Sequence, residues 1–401
     1  MSIALLEHNR SWAAAGTYAN PYEENFARAV KVTHAIAFGF ARHALISILE
    51  AAGIKAGDEV ILSPLTCKVV PLALLSLKLR PVYADISAET LNLDSRNVES
   101  VISSATRAIL FQHTYGVSAG VEAVAEVAAG NNLLLVEDCA QCLPYAADDN
   151  YPGSWGQAAV FSNNLLKPLP AGSGGVAVTN DDGLARKIQA RRDALPPQSG
   201  WADFRLRAEM RAHAWLLRPA WYWTLFNLYR RISPAYQARP IEVEIDDEIT
   251  SESRRPSEYQ MREGLRWLGR LESLASHRRH CCAEYAKALR ERLAPDLNGA
   301  DFKLIPLEAA QPLYYFPVLA RNKPELLRAA RSQRVELIAW PVSAPIYPLE
   351  RAQDLRAYGY EPGACPVAEA VAAQLVGLPT RPEITAAQRR RIIDLLAKAK
   401  I

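Results

Sequence analysis

The 401-residue chain has no run of about 18 apolar residues, so no part of it is expected to span a bilayer. It also lacks low-complexity tracts and blocks of like charge, which argues against disorder and interaction tails. Its 46 basic and 43 acidic residues leave a formal net charge of +3, too near neutrality to suggest a nucleic-acid partner. The opening stretch MSIALLEHNRSW has no basic segment followed by an apolar core, so no secretory signal is expected and the cytoplasm is the default compartment. Cysteine is sparse: Cys67, Cys139, Cys142, Cys281, Cys282 and Cys365. Cys139 and Cys142 form a single C-x-x-C. No second pair or H-x-x-x-H follows at metal-ligand spacing, so no metal site is expected.

The residues present are those of a globular protein, with 50% hydrophobic and 22% charged. The length exceeds what one core usually supports. A large domain over 1–250 and a smaller α+β domain over 251–401 are therefore expected. Between about 40 and 180, helix-like stretches (RHALISILEAAG, VVPLALLSLK, VESVISSA, VEAVAEVAAG) alternate with short apolar strands (EVILS, PVYADI, RAILFQH, NLLLVED). Such strands fit a mostly parallel sheet flanked by helices, an α/β fold. Two more strands, AAVFS and GVAVTN, bracket a loop that contains Lys167. Beyond 255 a long helical pattern runs from GLRWLG to ALRERL, followed by the strand LYYFPVLA and the helices PELLRAARSQR and TAAQRRRIIDLLAKA.

Three features of the first part belong together. Asp138 ends the strand NLLLVED, where acids of parallel strands face the ligand crevice. A buried carboxylate there suits a protonated ring nitrogen such as that of pyridoxal phosphate, with Gln141 in reach of the ring oxygen. The plainer reading is that Asp138 caps the next helix. Lys167 follows a strand by five residues and precedes a turn with Gly172, Gly174 and Gly175. A loop of this kind gives an imine-forming amine a short, mobile reach. A surface lysine in a hairpin is the plainer alternative. FGFARHAL enters a helix near residue 41, where main-chain N–H groups with Arg42 and His43 suit a phosphate, and Ser162 can add a hydroxyl.

In order and spacing, SPLTC, HTYG, EDCAQ, GSWGQ, FSNNLLK and GSGG resemble the motifs of the DegT/DnrJ-type sugar aminotransferases, a branch of the fold-type-I pyridoxal-phosphate enzymes. RPSEYQMREGLRWLGRLE and CPVAEAVAAQLVGLPTRPEIT extend the resemblance over nearly the whole chain. It implies that Lys167 forms the imine with pyridoxal 5'-phosphate and that Asp138 pairs with the ring nitrogen. Gln141 would contact the ring oxygen, and Ser162, Arg42 and His43 would hold the phosphate. It implies an amino-acid donor such as glutamate, a nucleotide-linked keto sugar as acceptor, and a homodimer with shared active sites. Cys67 falls where the family often stacks an aromatic residue on the ring, and Ser253 where it has a partner-chain Asn. Ala41, Gln157, Pro168 and Ser173 also depart from the pattern. These departures keep open a non-sugar ketone, such as a lipid or polyketide intermediate, and a non-catalytic sensor or scaffold of the same fold.

Residues 204–233 have no counterpart in that pattern. Pro219 splits them, and Trp221, Leu225, Leu228 and Ile232 share one helical face. Packing within the protein or its dimer is the favoured expectation, because aromatic stripes at helical spacing usually pack. Contact with a membrane surface is the minority one.

Overall fold

The computed structural model describes residues 20–145, 151–216, 253–293, 302–305, 311–341 and 344–398. Seven strands form the central sheet: β1 (His34–Phe38), β2 (Glu59–Leu62), β3 (Arg80–Tyr83), β4 (Thr106–Gln112), β5 (Leu134–Asp138), β6 (Ala158–Ser162) and β7 (Gly175–Thr179). Their order is β1-β7-β6-β5-β4-β2-β3. β3, β2, β4, β5 and β6 pair in parallel, whereas β7 is antiparallel to both its neighbours, β6 and β1. Six strands thus share one direction, and β7 alone opposes them. The inner strands β5, β6 and β7 are buried almost throughout, as expected for a sheet covered on both faces.

Helices α1 (Pro21–Ala29), α2 (Ala41–Ala51), α3 (Val69–Ser76), α4 (Ser95–Ser100), α5 (Val121–Gly130) and α6 (Asp182–Ala194) flank the sheet. One apolar layer joins Leu45, Ile48 and Leu49 of α2 to Val60, Leu110 and Val160 of the strands. On the opposite face, Phe26 of α1 meets Phe161 edge-on at 5.3 Å. α4 lies earlier than the stretch VESVISSA suggests. Asp94 caps it through Arg96 and Asn97 N–H, and Ser103 instead turns the chain by accepting from Ala105 N and donating to Glu59. β1 follows α1 in a segment for which no strand was expected.

After β7 and α6 comes α7 (Gly200–Leu216). The long helical pattern beyond 255 is two helices, α8 (Glu258–Leu268) and α9 (Leu271–Leu293), broken at Gly269–Arg270. α8 starts at a capping box formed by Ser257 and Gln260, and Gly264 on it would collide with the Tyr22 ring if it carried a Cβ. α8 therefore packs against α1. A second sheet, ordered β10-β9-β8, is antiparallel throughout: β8 (Phe302–Leu304), β9 (Tyr315–Ala320) and β10 (Leu375–Pro379). Its core unites Tyr285 of α9, Phe316 and Leu378 with Leu326 of α10 (Lys323–Ser332) and Ile392 of α11 (Ala386–Lys398). Among the described residues, no helix is long and apolar enough to cross a membrane.

Candidate active site

The carboxyl ends of the parallel strands converge on one edge of the sheet. Gly39 follows β1, Cys67 follows β2, His113 follows β4, Asp138 ends β5 and Ser162 ends β6. Because β7 runs the other way, its first residue, Gly175, lies at the same edge and pairs with Phe38 on one side and Ser162 on the other. A Cβ on Gly175 would stand 2.2 Å from Ala41 Cα and 2.5 Å from Ala41 N. Only glycine lets the first turn of α2 sit directly on β7, beside Ser162. That turn has no side-chain cap and no acidic residue, so its main-chain N–H groups and positive dipole end suit an anion. Arg42 lies with its guanidinium carbon 4.6 Å from the Phe40 ring centre, and the buried His43 meets the same ring edge-on at 5.7 Å. The backbone here forms a cup, walled by the first turn of α2 and the start of β7.

Its wall includes a segment from far along the chain. Gly39 N donates to Arg254 O at 3.3 Å, and a Cβ on Gly39 would come within 2.7 Å of that carbonyl. Ser253 therefore adjoins a residue that touches the turn of its own chain. Gln260 Nε2 donates to Gly39 O at 3.3 Å and also to Ser173 Oγ, tying the α8 start to the Gly-rich loop. Sequence reasoning missed Gln260, although its place in the Ser257 capping box was readable.

Asp138 is 4% exposed. Its Oδ1 accepts from Ala140 N at 2.9 Å within a turn, and among the described residues no helix directly follows β5 for Asp138 to cap, contrary to the plainer reading. Burial pushes the carboxyl above its usual range, while that N–H and the nearby positive charges of Lys167 and His113 pull it down. The lysine sits, half-buried, in the loop from Asn163 to Gly174. Lys167 N donates to Asn164 O and Leu165 N to Gly172 O, both at 2.9 Å. Gly172 and Gly174 take φ of +97° and +126°, values that L side chains rarely adopt. Gln141 Oε1 accepts from Tyr115 N at 2.8 Å, which leaves the amide's NH₂ to donate elsewhere. Cys67, half-buried, makes a parallel bridge with Tyr347, whose N donates to Thr66 O at 2.8 Å.

Beneath the site lies a buried group that sequence reasoning passed over within the quoted motif. Glu137 is fully enclosed, and its two oxygens take four hydrogen bonds of 2.7–2.8 Å: Gly153 N and His113 Nε2 on one, Trp155 N and Gly156 N on the other. Glu137 thus ties the GSWG turn to HTYG, the two flanks of Asp138. Cys139 is close to this pair, and the three form a metal-like grouping with ligand atoms within 4.8 Å of one another. The carboxylate is already filled by N–H donors, and burial holds the Cys139 thiol well above its normal value, so the trio is structural. Cys139 and Cys142 are free, buried thiols. Of the departures, Gln157 lies at the far end of β6, where its Oε1 accepts from Leu135 N at 2.7 Å, away from the site. Ser173 bonds Gln260.

α7 covers the Gly-rich loop, and a Cβ on Gly172 would strike Met210 Sδ at 2.6 Å and Leu206 at 3.2 Å. This is packing, as favoured for the start of 204–233. Residues 217–233, with Pro219, Trp221, Leu225, Leu228 and Ile232, lie outside the described residues.

The model of the DegT/DnrJ/EryC1/StrS aminotransferase family matches residues 4–205 and 243–397, leaving the unusual segment unmatched. A pleiotropic regulatory protein of Geobacillus stearothermophilus is 26% identical over 388 residues, 96% of this chain and 89% of that one. The dTDP-3-amino-3,4,6-trideoxy-alpha-D-glucose transaminase of Micromonospora megalomicea subsp. nigra is 26% identical over 375 residues, 93% of this chain and 87% of that one. The crystal structure of S. venezuelae DesV in complex with a ketimine intermediate superposes with a TM-score of 0.70 at 25% identity, covering 96% of this chain and 89% of DesV. With a lysine loop, a buried acid and a helix-end cup on one sheet edge, the chain belongs to the DegT/DnrJ/EryC1/StrS aminotransferase family and is a pyridoxal-phosphate-dependent aminotransferase.

Proposed function

We propose that the protein moves an amino group from an amino-acid donor, glutamate, to a keto sugar carried on a nucleotide, and that it works in the cytoplasm as a homodimer with shared active sites. One observation carries the assignment of roles: the Lys167 loop joins the end of β6 to the start of β7, at the sheet edge where the buried Asp138 ends the neighbouring β5. The residues present fit the cofactor. The Gly175 cradle, which a Cβ would fill, seats the start of α2 beside Ser162 for a phosphate, and Asp138 has one oxygen bonded to Ala140 N. Bound pyridoxal phosphate supplies an electron sink for the carbanion left when the donor's α-proton departs. Asp138 would hold a proton on the ring nitrogen, because an ionised carboxylate beside that nitrogen favours its protonated form. Ser162 Oγ and the Ala41 and Arg42 N–H groups would hold the phosphate, with the Arg42 and His43 side chains beside them. Gln141 Nε2 would donate to the ring oxygen, its Oε1 being held by Tyr115 N. Cys67, bridged to Tyr347, would border the ring, and Ser253 adjoins Arg254, whose carbonyl accepts from Gly39 N beside the cup. Lys167 Nζ would be the group that holds the cofactor and, once freed by the donor's amine, the base that carries a proton between substrate carbon and cofactor carbon, in one direction with the donor and in the other with the acceptor.

The name and coverage of the dTDP-amino-sugar transaminase support the sugar acceptor. A small Cys67 in place of a stacking aromatic favours a bulkier, non-sugar ketone as the second reading. The purified protein with pyridoxal phosphate should absorb at roughly 400–430 nm, lose the band on borohydride reduction, and show none in Lys167→Ala. A band that survives in Lys167→Ala refutes the role of Lys167. Glutamate with a panel of nucleotide-linked and free ketones then decides the acceptor, by conversion of the band and amination of the ketone.

A further inference from the structure

The hydroxyl of Tyr314 donates to the main-chain carbonyl of Leu166, the residue before Lys167. The Leu166 side chain is 64% exposed, so packing of that side chain does not fix the loop here. Tyr314 sits just before β9, and its own backbone is held on several sides. Tyr314 N donates to Tyr115 O at 2.8 Å. The Leu313 and Tyr314 carbonyls both accept from Thr380 Oγ1 at 2.7 Å, and from Arg278 Nη1 at 3.3 and 3.0 Å. The same Nη1 reaches Thr380 Oγ1 at 2.8 Å. Arg278 is 2% exposed and spends these bonds on neutral oxygens, an arrangement that fixes a backbone at the cost of burying a cation. The Tyr314 ring lies 3.9 Å from that of Tyr315, which in turn meets Tyr115 at 5.2 Å. Tyr115 is the residue whose N–H fixes Gln141. One rigid junction therefore reaches two sides of the cofactor site: Gln141 through Tyr115, and the lysine loop through Tyr314.

We infer that Tyr314 is a positioning residue for Lys167. By fixing the Leu166 carbonyl it sets where the amine stands relative to Asp138, with Arg278 and Thr380 holding the tyrosine in place. A lysine that shuttles a proton between two carbons needs placement to about 0.5 Å, and a loop with two positive-φ glycines does not supply that alone. The inference rests on the role of Lys167 proposed above.

The test compares Tyr314→Phe with wild type. In the cofactor-loaded enzyme, kcat should fall roughly fivefold or more while the donor KM stays within about twofold, and the pH midpoint of the imine band should move by roughly half a unit. In the cofactor-free protein, trace acetic anhydride with peptide mass spectrometry should label Lys167 roughly threefold faster, the other lysines being unchanged. Unchanged kcat, band and labelling overturn the inference, as does a rise in KM alone, which would assign Tyr314 to donor binding. If Tyr314→Phe fails to fold, Thr380→Val decides: the same shifts in smaller measure, restored by Thr380→Ser, support the inference, and wild-type values overturn it. A wild-type protein without an imine band refutes the cofactor role of Lys167 separately, because the labelling arm needs no cofactor.

Discussion

Glu137 shows how much of this site depends on a residue that touches no reacting atom. Its carboxylate accepts three N–H groups of the 153–156 turn and the His113 ring, all in a dry setting. In Glu137→Gln an NH₂ group would confront N–H donors. Unfolding in denaturant should show a loss of about 3 kcal/mol or more, since the broken bonds are charge-assisted and leave buried donors unpaired. Asp138→Asn should preserve stability yet lower kcat on the order of a hundredfold or more, because an amide does not hold the ring nitrogen's proton. Steady-state kinetics beside a melting curve separates the two effects. A third residue gives a pH signature. Lys323, 2% exposed, donates to Pro341 O and Ala372 O, and burial pulls its amine down to about 7. The unfolded value is near 10.4, so between about pH 7 and 10.4 the unfolded chain binds the extra proton and stability rises with pH. Below about pH 7 the penalty is complete and constant. The stability difference between wild type and Lys323→Met should therefore grow in favour of wild type from pH 7 to 10, by at most about 1.4 kcal/mol per unit. A flat difference would show that the amine keeps its charge.

At the scale of elements, Gly175 decides whether α2 can lie on β7 at all. Gly175→Ala puts a methyl group 2.2 Å from Ala41 Cα, so the helix start must move off the strand. Cofactor affinity, measured by fluorescence titration, should weaken roughly tenfold or more. Much of this level was legible in the sequence. β2 to β7 announce themselves as short apolar runs between turn residues, and Asp138, Ser162 and the start of α2 fall at strand ends where the α/β pattern puts ligand groups. β1 was not legible, because HAIAF is short and follows a helix without a strong turn signal. The break at Gly269 was hidden by an apolar period that continues from α8 into α9. Partners such as Tyr314, Gln260 and Arg254 were invisible for a different reason. They reach the site from more than a hundred residues away, through hydrogen bonds that leave no periodic trace.

For the whole molecule, the exposed large side chains are informative. Trp201 and Phe204, 71% and 61% exposed, stack on each other on α7, which covers the lysine loop, and exposed Leu166 lies on that loop. A homodimer would have apolar surface to cover there. Sedimentation equilibrium should give twice the chain mass at micromolar concentration, and Trp201→Glu with Phe204→Glu should shift the balance towards monomer if this face is the contact.

The sheet order also has a consequence in time. β1 finds its hydrogen-bonding partner only in β7, which begins at Gly175, some 140 residues later in the chain. A ribosome delivers residues from the amino end, at roughly 5–20 per second. For several seconds the first turn of α2, proposed above to hold the phosphate, therefore lacks the start of β7 on which it rests. Cofactor capture must wait for β7, and nascent chains halted before Gly175 emerges would be blind to pyridoxal phosphate.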